Sequence, residues 1–281
     1  MQPGKYLKAS IAGLMLLGAA AVNAATTTTE TWNPSAAGIT NAGPFTFDNI
    51  VLNTFANIDL NSAGTSFAEQ GFLRLSMFTL GGTPTSIPNA GFPGGSPYSL
   101  YISFSGTGTQ SAGIPSFGQF SSLTYSLLGA SGMTNFTPDA SGVFTVSGNA
   151  PVTLATGTLS SPGAVAVTAD PASGLLLPSA QVTASFVPNP AFANFFANPP
   201  ASVIQQVTAA FTSTGTVVTT TPLGNGGTRF SLNGGGGNAT LSATALPPTT
   251  PVPEPDTFGM LLAGLGLYGF IARRRNRRGA A

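Results

Sequence analysis

The chain has 281 residues, with 36 glycines, 23 prolines, no cysteine and no histidine. Charged residues make up 6% of it and the net charge is +1. Without thiols or imidazoles there can be no disulfide, no Cys- or His-ligated metal site, and none of the hydrolase triads that depend on those groups.

Residues 1–24 read as a signal peptide. Lys5 and Lys8 form a positive n-region, 11–22 form an apolar h-region too short to cross a bilayer, and Val22-Asn23-Ala24 offers the small residues needed for cleavage between Ala24 and Ala25. Signal peptidase is the first expected partner, and residues 25–250 are the expected exported body. Between residues 25 and 251 only Arg74 and Arg229 stand against Glu30, Asp48, Asp59, Glu69, Asp139 and Asp170, a balance of −4. This body has no basic surface, which excludes nucleic acid as a partner. A domain of about 225 residues buries enough apolar surface to fold without covalent staples.

The body reads as strands. Tyr98, Leu100, Ile102 and Phe104 alternate with Ser99, Tyr101, Ser103 and Ser105, and Leu73, Leu75 and Met77 alternate with Arg74 and Ser76. Similar stretches recur at 45–50, 123–128, 143–147, 152–159, 164–168, 181–187, 207–220, 229–232 and 239–245. Turn signals at intervals of about ten residues predict one all-β domain, an antiparallel β-sandwich or jelly roll. The best helix candidates are short, 190–196 and 201–209. Asn225-Gly226-Gly227 and the glycine run 234–237 read as hairpin loops, with no lysine placed to complete a phosphate cradle. No internal repeat is evident.

Four aromatic residues, Trp32, Tyr98, Tyr101 and Tyr125, are candidates for stacking on sugar rings, with Tyr101 favoured because it lies opposite Leu100 and Ile102. Asn57, Asp59 and Asn61 place oxygens at alternate positions. They lack the glycine and terminal acid of a calcium loop, and in a strand they would share the solvent face. Asp48, Asp59, Glu69, Asp139 and Asp170 could supply a glycosidase pair, but acids at turns explain most of them. No metal, no cofactor and no catalytic residue is expected.

The last segment, 251–281, has a different composition. Val252-Pro253-Glu254-Pro255 cannot continue a helix, since proline lacks the N–H and restricts the residue before it. Residues 257–272 carry no charge, and as a helix would span about 24 Å, just short of a hydrocarbon core of ~30 Å. Arg273, Arg274, Arg275, Arg277 and Arg278 would stay cytoplasmic by the positive-inside rule, which leaves the body outside.

In order and spacing, this tail resembles the PEP-CTERM sorting signals: Pro253-Glu254-Pro255, an apolar helix ending in Gly269-Phe270-Ile271-Ala272, then the arginine cluster. The resemblance implies recognition and processing by an exosortase in the inner membrane of a Gram-negative host. It also implies transient anchoring there, with the body periplasmic, before the protein moves to the cell surface or extracellular matrix. Trp32-Asn33-Pro34-Ser35, Phe45-Thr46-Phe47-Asp48, the segment 207–212 and the late glycine-rich strand look like flocculation-associated PEP-CTERM proteins. That likeness implies a non-enzymatic role in exopolysaccharide-bound flocs or biofilms. The alternatives are a carbohydrate-binding module or a carboxylate-based glycosidase.

Overall fold

The computed structural model describes residues 29–40, 43–88, 98–169, 176–198, 206–212 and 217–242. The chain divides into two compact units, Met1–Thr244 and Ala245–Ala281, and all described residues belong to the first. The expected signal peptide, its cleavage residues Val22, Ala24 and Ala25, and the whole tail lie outside the described residues. Among those described, no helix is long and apolar enough to cross a membrane.

The strands in chain order are β1 (Glu30–Trp32), β2 (Phe45–Phe47), β3 (Asn49–Leu60), β4 (Ser66–Leu80), β5 (Thr83–Ser86), β6 (Tyr98–Gln110), β7 (Ser116–Ser131) and β8 (Asn135–Pro138). They continue with β9 (Phe144–Ser147), β10 (Val152–Ala169), β11 (Leu176–Ser185), β12 (Val187–Pro188), β13 (Phe196–Asn198), β14 (Gln206–Thr212), β15 (Val217–Pro222) and β16 (Thr228–Ser242). Among the described residues, the helical elements are two short 3₁₀ turns, Pro34–Ala37 and Pro190–Phe195. The second matches the helix candidate at 190–196. Where the candidate 201–209 is described, from Gln206 onward, it is strand, paired to β11 and β16 through Val207 and Thr208.

The all-β, antiparallel expectation holds, but the predicted sandwich is replaced by a closed barrel. The wall runs β11, β14, β16, β3, β4, β6, β7, β10, and β10 pairs back onto β11. Ala164 of β10 faces Gln119 of β7 on one side and Gln181 of β11 on the other. Closure follows from strand length. β10 has 18 residues, β7 has 16, and β4 and β16 have 15 each, so strand twist accumulates along them. Bulges in β10 between Thr158 and Ala164 bend it further, until the two ends of the sheet meet.

Glycine punctuation hid that length from the sequence. The run 234–237 is not a loop: Gly235, Gly236 and Gly237 pair with Thr54, Asn53 and Leu52 inside β16, after a bulge at Gly234. Gly157 is in-strand too, because a Cβ there would overlap the Tyr125 ring laid across it. By contrast, Asn225-Gly226-Gly227 does form the turn between β15 and β16, held by Asn225 Oδ1 accepting from the Gly227 N–H.

At the end of the barrel where β3, β6 and β10 begin, a small sheet ordered β13, β1, β2 packs against the wall. Trp32 is its centre, with ring centroids 4.9 Å from Phe47, 5.2 Å from Phe195, 5.4 Å from Phe78 and 5.8 Å from Phe196. Outside the wall, the β8–β9 hairpin lays Phe136 and Phe144 over Phe55, Tyr101, Phe72 and Leu128 to form a second core. Asn57 binds this hairpin down: its amide donates to Gly142 O and its Oδ1 accepts from the Phe144 N–H at 3.3 Å.

Candidate functional site

The candidate glycan-contacting aromatics are all inside the protein. Trp32 and Tyr101 are 1% exposed, Tyr98 is 0% and Tyr125 is 7%. Tyr98 Oη lies 2.9 Å from Ser86 Oγ, and the Tyr125 hydroxyl donates to Ser185 O at 2.8 Å inside the wall. Burial pushes both phenols above their usual range. Tyr101 does project away from Leu100 and Ile102, but the hairpin covers it, with Phe136 5.4 Å away. None of the four offers a ring face to an external sugar, because each is desolvated by neighbours distant in sequence.

The calcium-like triplet is also dispersed. Asn57 is buried under the hairpin rather than solvated, Asp59 forms a bidentate pair with Arg229 at 2.6 and 2.7 Å, and Asn61 accepts from Thr65 N–H within the β3–β4 turn. Two of the other acids, Asp48 and Asp139, have structural partners as well. Asp48 accepts from Gly81 N–H at 2.8 Å, and Asp139 accepts from Ser141 and Val143 N–H at 2.8 and 2.9 Å. Asp170 lies outside the described residues.

Among the described residues, two concavities stand out, one on each side of the wall. The outer one is a groove of about 390 Å³ between the β8–β9 hairpin and the face of β4, β6 and β7. Strand register builds its floor from two cross-strand rows, Gln70–Ser105–Thr124 and Phe72–Ser103–Ser126. Ser105 Oγ and Thr124 Oγ1 are 3.1 Å apart, and the hydroxyl surface continues past the groove through Thr107 and Ser122 at 2.7 Å. Phe144 and Val143 form the hairpin wall.

The inner concavity is a cavity of about 330 Å³ to which every wall strand contributes side chains. On β4 the inward positions are Phe67, Glu69, Gly71, Leu73 and Leu75, so a carboxyl occupies the apolar phase of the strand. Register sets Glu69 between Ile58 of β3 and Gly106 of β6. Desolvation there raises its pKa from 4.5 to about 7. Glu69 is half-buried and lines the cavity. The cavity lining among described residues contains no lysine or arginine. Thr54 Oγ1, also on the lining, is buried without a hydrogen-bond partner. Sequence reasoning named Glu69 only as one of several acids. The available signal was its place in register with Phe67 and Leu73.

The described residues define an antiparallel β-barrel protein, and the chain adds a C-terminal address to it. Residues 251–278 match the PEP-CTERM protein-sorting motif, so the chain carries a PEP-CTERM sorting signal. The match takes in Val252, Pro253, Glu254, Pro255 and the arginines Arg273, Arg274, Arg275, Arg277 and Arg278. The motif is one recognised by exosortase, and it implies export with transient C-terminal membrane anchoring. No curated protein and no solved structure matches the chain.

Proposed function

We propose that the protein is a non-enzymatic component of the extracellular matrix or cell surface, released or transferred by exosortase, which binds exopolysaccharide in flocs or biofilms. The observation that carries this reading is the outer groove. Its Gln70, Ser103, Ser105, Thr124 and Ser126 side chains offer uncharged donors and acceptors beside the apolar wall of Phe144, a combination suited to neutral glycans. A surface of hydroxyls exchanges hydrogen bonds with sugar without desolvating ions. The sequence's aromatic candidates thus give way to a hydroxyl-rich floor as the glycan contact. The same groove supports the narrower reading of a carbohydrate-binding module with one preferred glycan.

The test is deletion in the host, complemented with wild type, with a chain lacking 251–281, and with Gln70→Ala/Ser105→Ala/Thr124→Ala. Deletion is expected to reduce aggregation and retention of exopolysaccharide. The tail-less chain should fail to restore either, and the groove variant should be exported normally yet restore aggregation poorly. Unchanged aggregation on deletion would sink the matrix role. Full rescue by the groove variant would remove the groove from it.

A further inference from the structure

The cavity inside the barrel is not used by the matrix role, and its construction is unusual. Protein interiors are close-packed, and the voids they contain are few and small. This one, at about 330 Å³, reaches the low end of the range for small-molecule pockets, roughly 300–1,000 Å³. One end of the barrel interior is filled by the aromatic group around Trp32, while the half bordered by Glu69, Leu73, Ile102, Leu123 and Val182 is left hollow. The hollow half extends to Ile114 in the β6–β7 turn, which lines the cavity and is 54% exposed. A molecule therefore has an apolar route in from that turn.

The polar groups on the lining select the head of such a molecule. Gln110 Nε2 donates to Gly64 O, Ser116 Oγ to Ser111 O, and Tyr125 Oη to Ser185 O, so these are already engaged. Glu69 and Thr54 remain. An anionic head would confront Glu69 with no cation on the lining to offset it. An ammonium head would bring three donors and a second charge to be desolvated, with a single carboxyl to receive them. An uncharged acceptor suits a protonated carboxyl and an unpartnered hydroxyl. Facing Glu69, β3 gives Ile58 and β6 gives Gly106, and Tyr125 is the other titratable side chain on the lining.

We propose that the barrel interior binds one elongated, uncharged apolar molecule whose carbonyl-bearing head, as in an ester or ketone, accepts a hydrogen bond from Glu69. The test uses the full chain kept soluble in an amphipathic polymer and titrated calorimetrically with methyl decanoate, decanoate and decylamine. Methyl decanoate is expected to bind saturably and more tightly than the other two, and to weaken as the pH rises through about 7 and the Glu69 carboxyl loses its proton. Glu69→Gln keeps a donor and should bind without that pH dependence, while Glu69→Leu should lose about tenfold in affinity. Leu73→Trp, which fills the hollow half, should abolish binding in a chain that still melts cooperatively. If it does not fold, Val182→Phe serves the same purpose. The proposal is overturned by absence of saturable heat from methyl decanoate, by equal or tighter binding of decanoate or decylamine, or by binding indifferent to Glu69→Leu.

Discussion

The two halves of the barrel interior are walled by the same strands and end in opposite states. Along β4, Leu75 and Phe78 meet Trp32 and its neighbours in a fully packed aromatic group, whereas Phe67, Glu69 and Leu73, a few residues earlier, surround empty space. The difference lies in what reaches inward from outside the ring. At the packed end, β1, β2, β13 and the Pro190–Phe195 turn supply four large rings, Trp32, Phe47, Phe195 and Phe196. At the other end, among the described residues, the wall strands themselves line the bore, and they present Ala209 and Ala239 along with their larger residues. A closed ring of eight strands thus does not specify a full core; the filling depends on segments added at one end.

The contrast can be tested by how each half responds to change. Trp32→Ala should cost the most, about 3–5 kcal/mol in denaturant unfolding, because its neighbours are close-packed on every side. Glu69 should give the next largest effect, through pH. Its carboxyl is harder to ionise folded than unfolded, so the folded state holds an extra proton between pH 4.5 and about 7. Stability should therefore fall as pH rises across that window, by at most about 3 kcal/mol, and level off above it. Glu69→Gln should flatten the profile, and a slope persisting in that variant would place the titration elsewhere. Leu73→Ala, at the edge of the existing void, should cost about 2 kcal/mol, the low end for such truncations. Asp59→Asn, on the outer face, should cost less than about 1 kcal/mol, since the Arg229 pair it weakens is partly solvated.

How much of this the sequence disclosed depends on how far each interaction reaches along the chain. The alternation of Leu100 and Ile102 with Ser99 and Ser103 gave the strand and its inward phase correctly, because pleating is a local property. Tyr101 was placed on the correct face yet misread as exposed, since the hairpin that covers it lies some thirty residues later in the chain. The glycine run in β16 looked like a loop because its partners Thr54, Asn53 and Leu52 lie far more distant still, near the start of the body. Sandwich and barrel differ in whether the ring closes, which depends on β16 meeting β3 from the far end of the body, with Ala239 opposite Ile50, and no window of sequence shows that pairing. The sorting tail was fully legible, because its proline triplet, apolar run and arginines act as contiguous segments.

One consequence of the wall's order concerns force. The chain leaves the described fold at Ser242, the last residue of β16, and reaches the sorting motif at residue 251. β16 is not at the margin of the sheet: β14 grips it on one side and β3 on the other, with Ala239 paired to both Ala209 and Ile50. Tension applied through the tail acts along the strand, so two ladders would have to slip together instead of opening one bond at a time. A chain tethered through its C-terminal end would meet drag on the body with both ladders in shear.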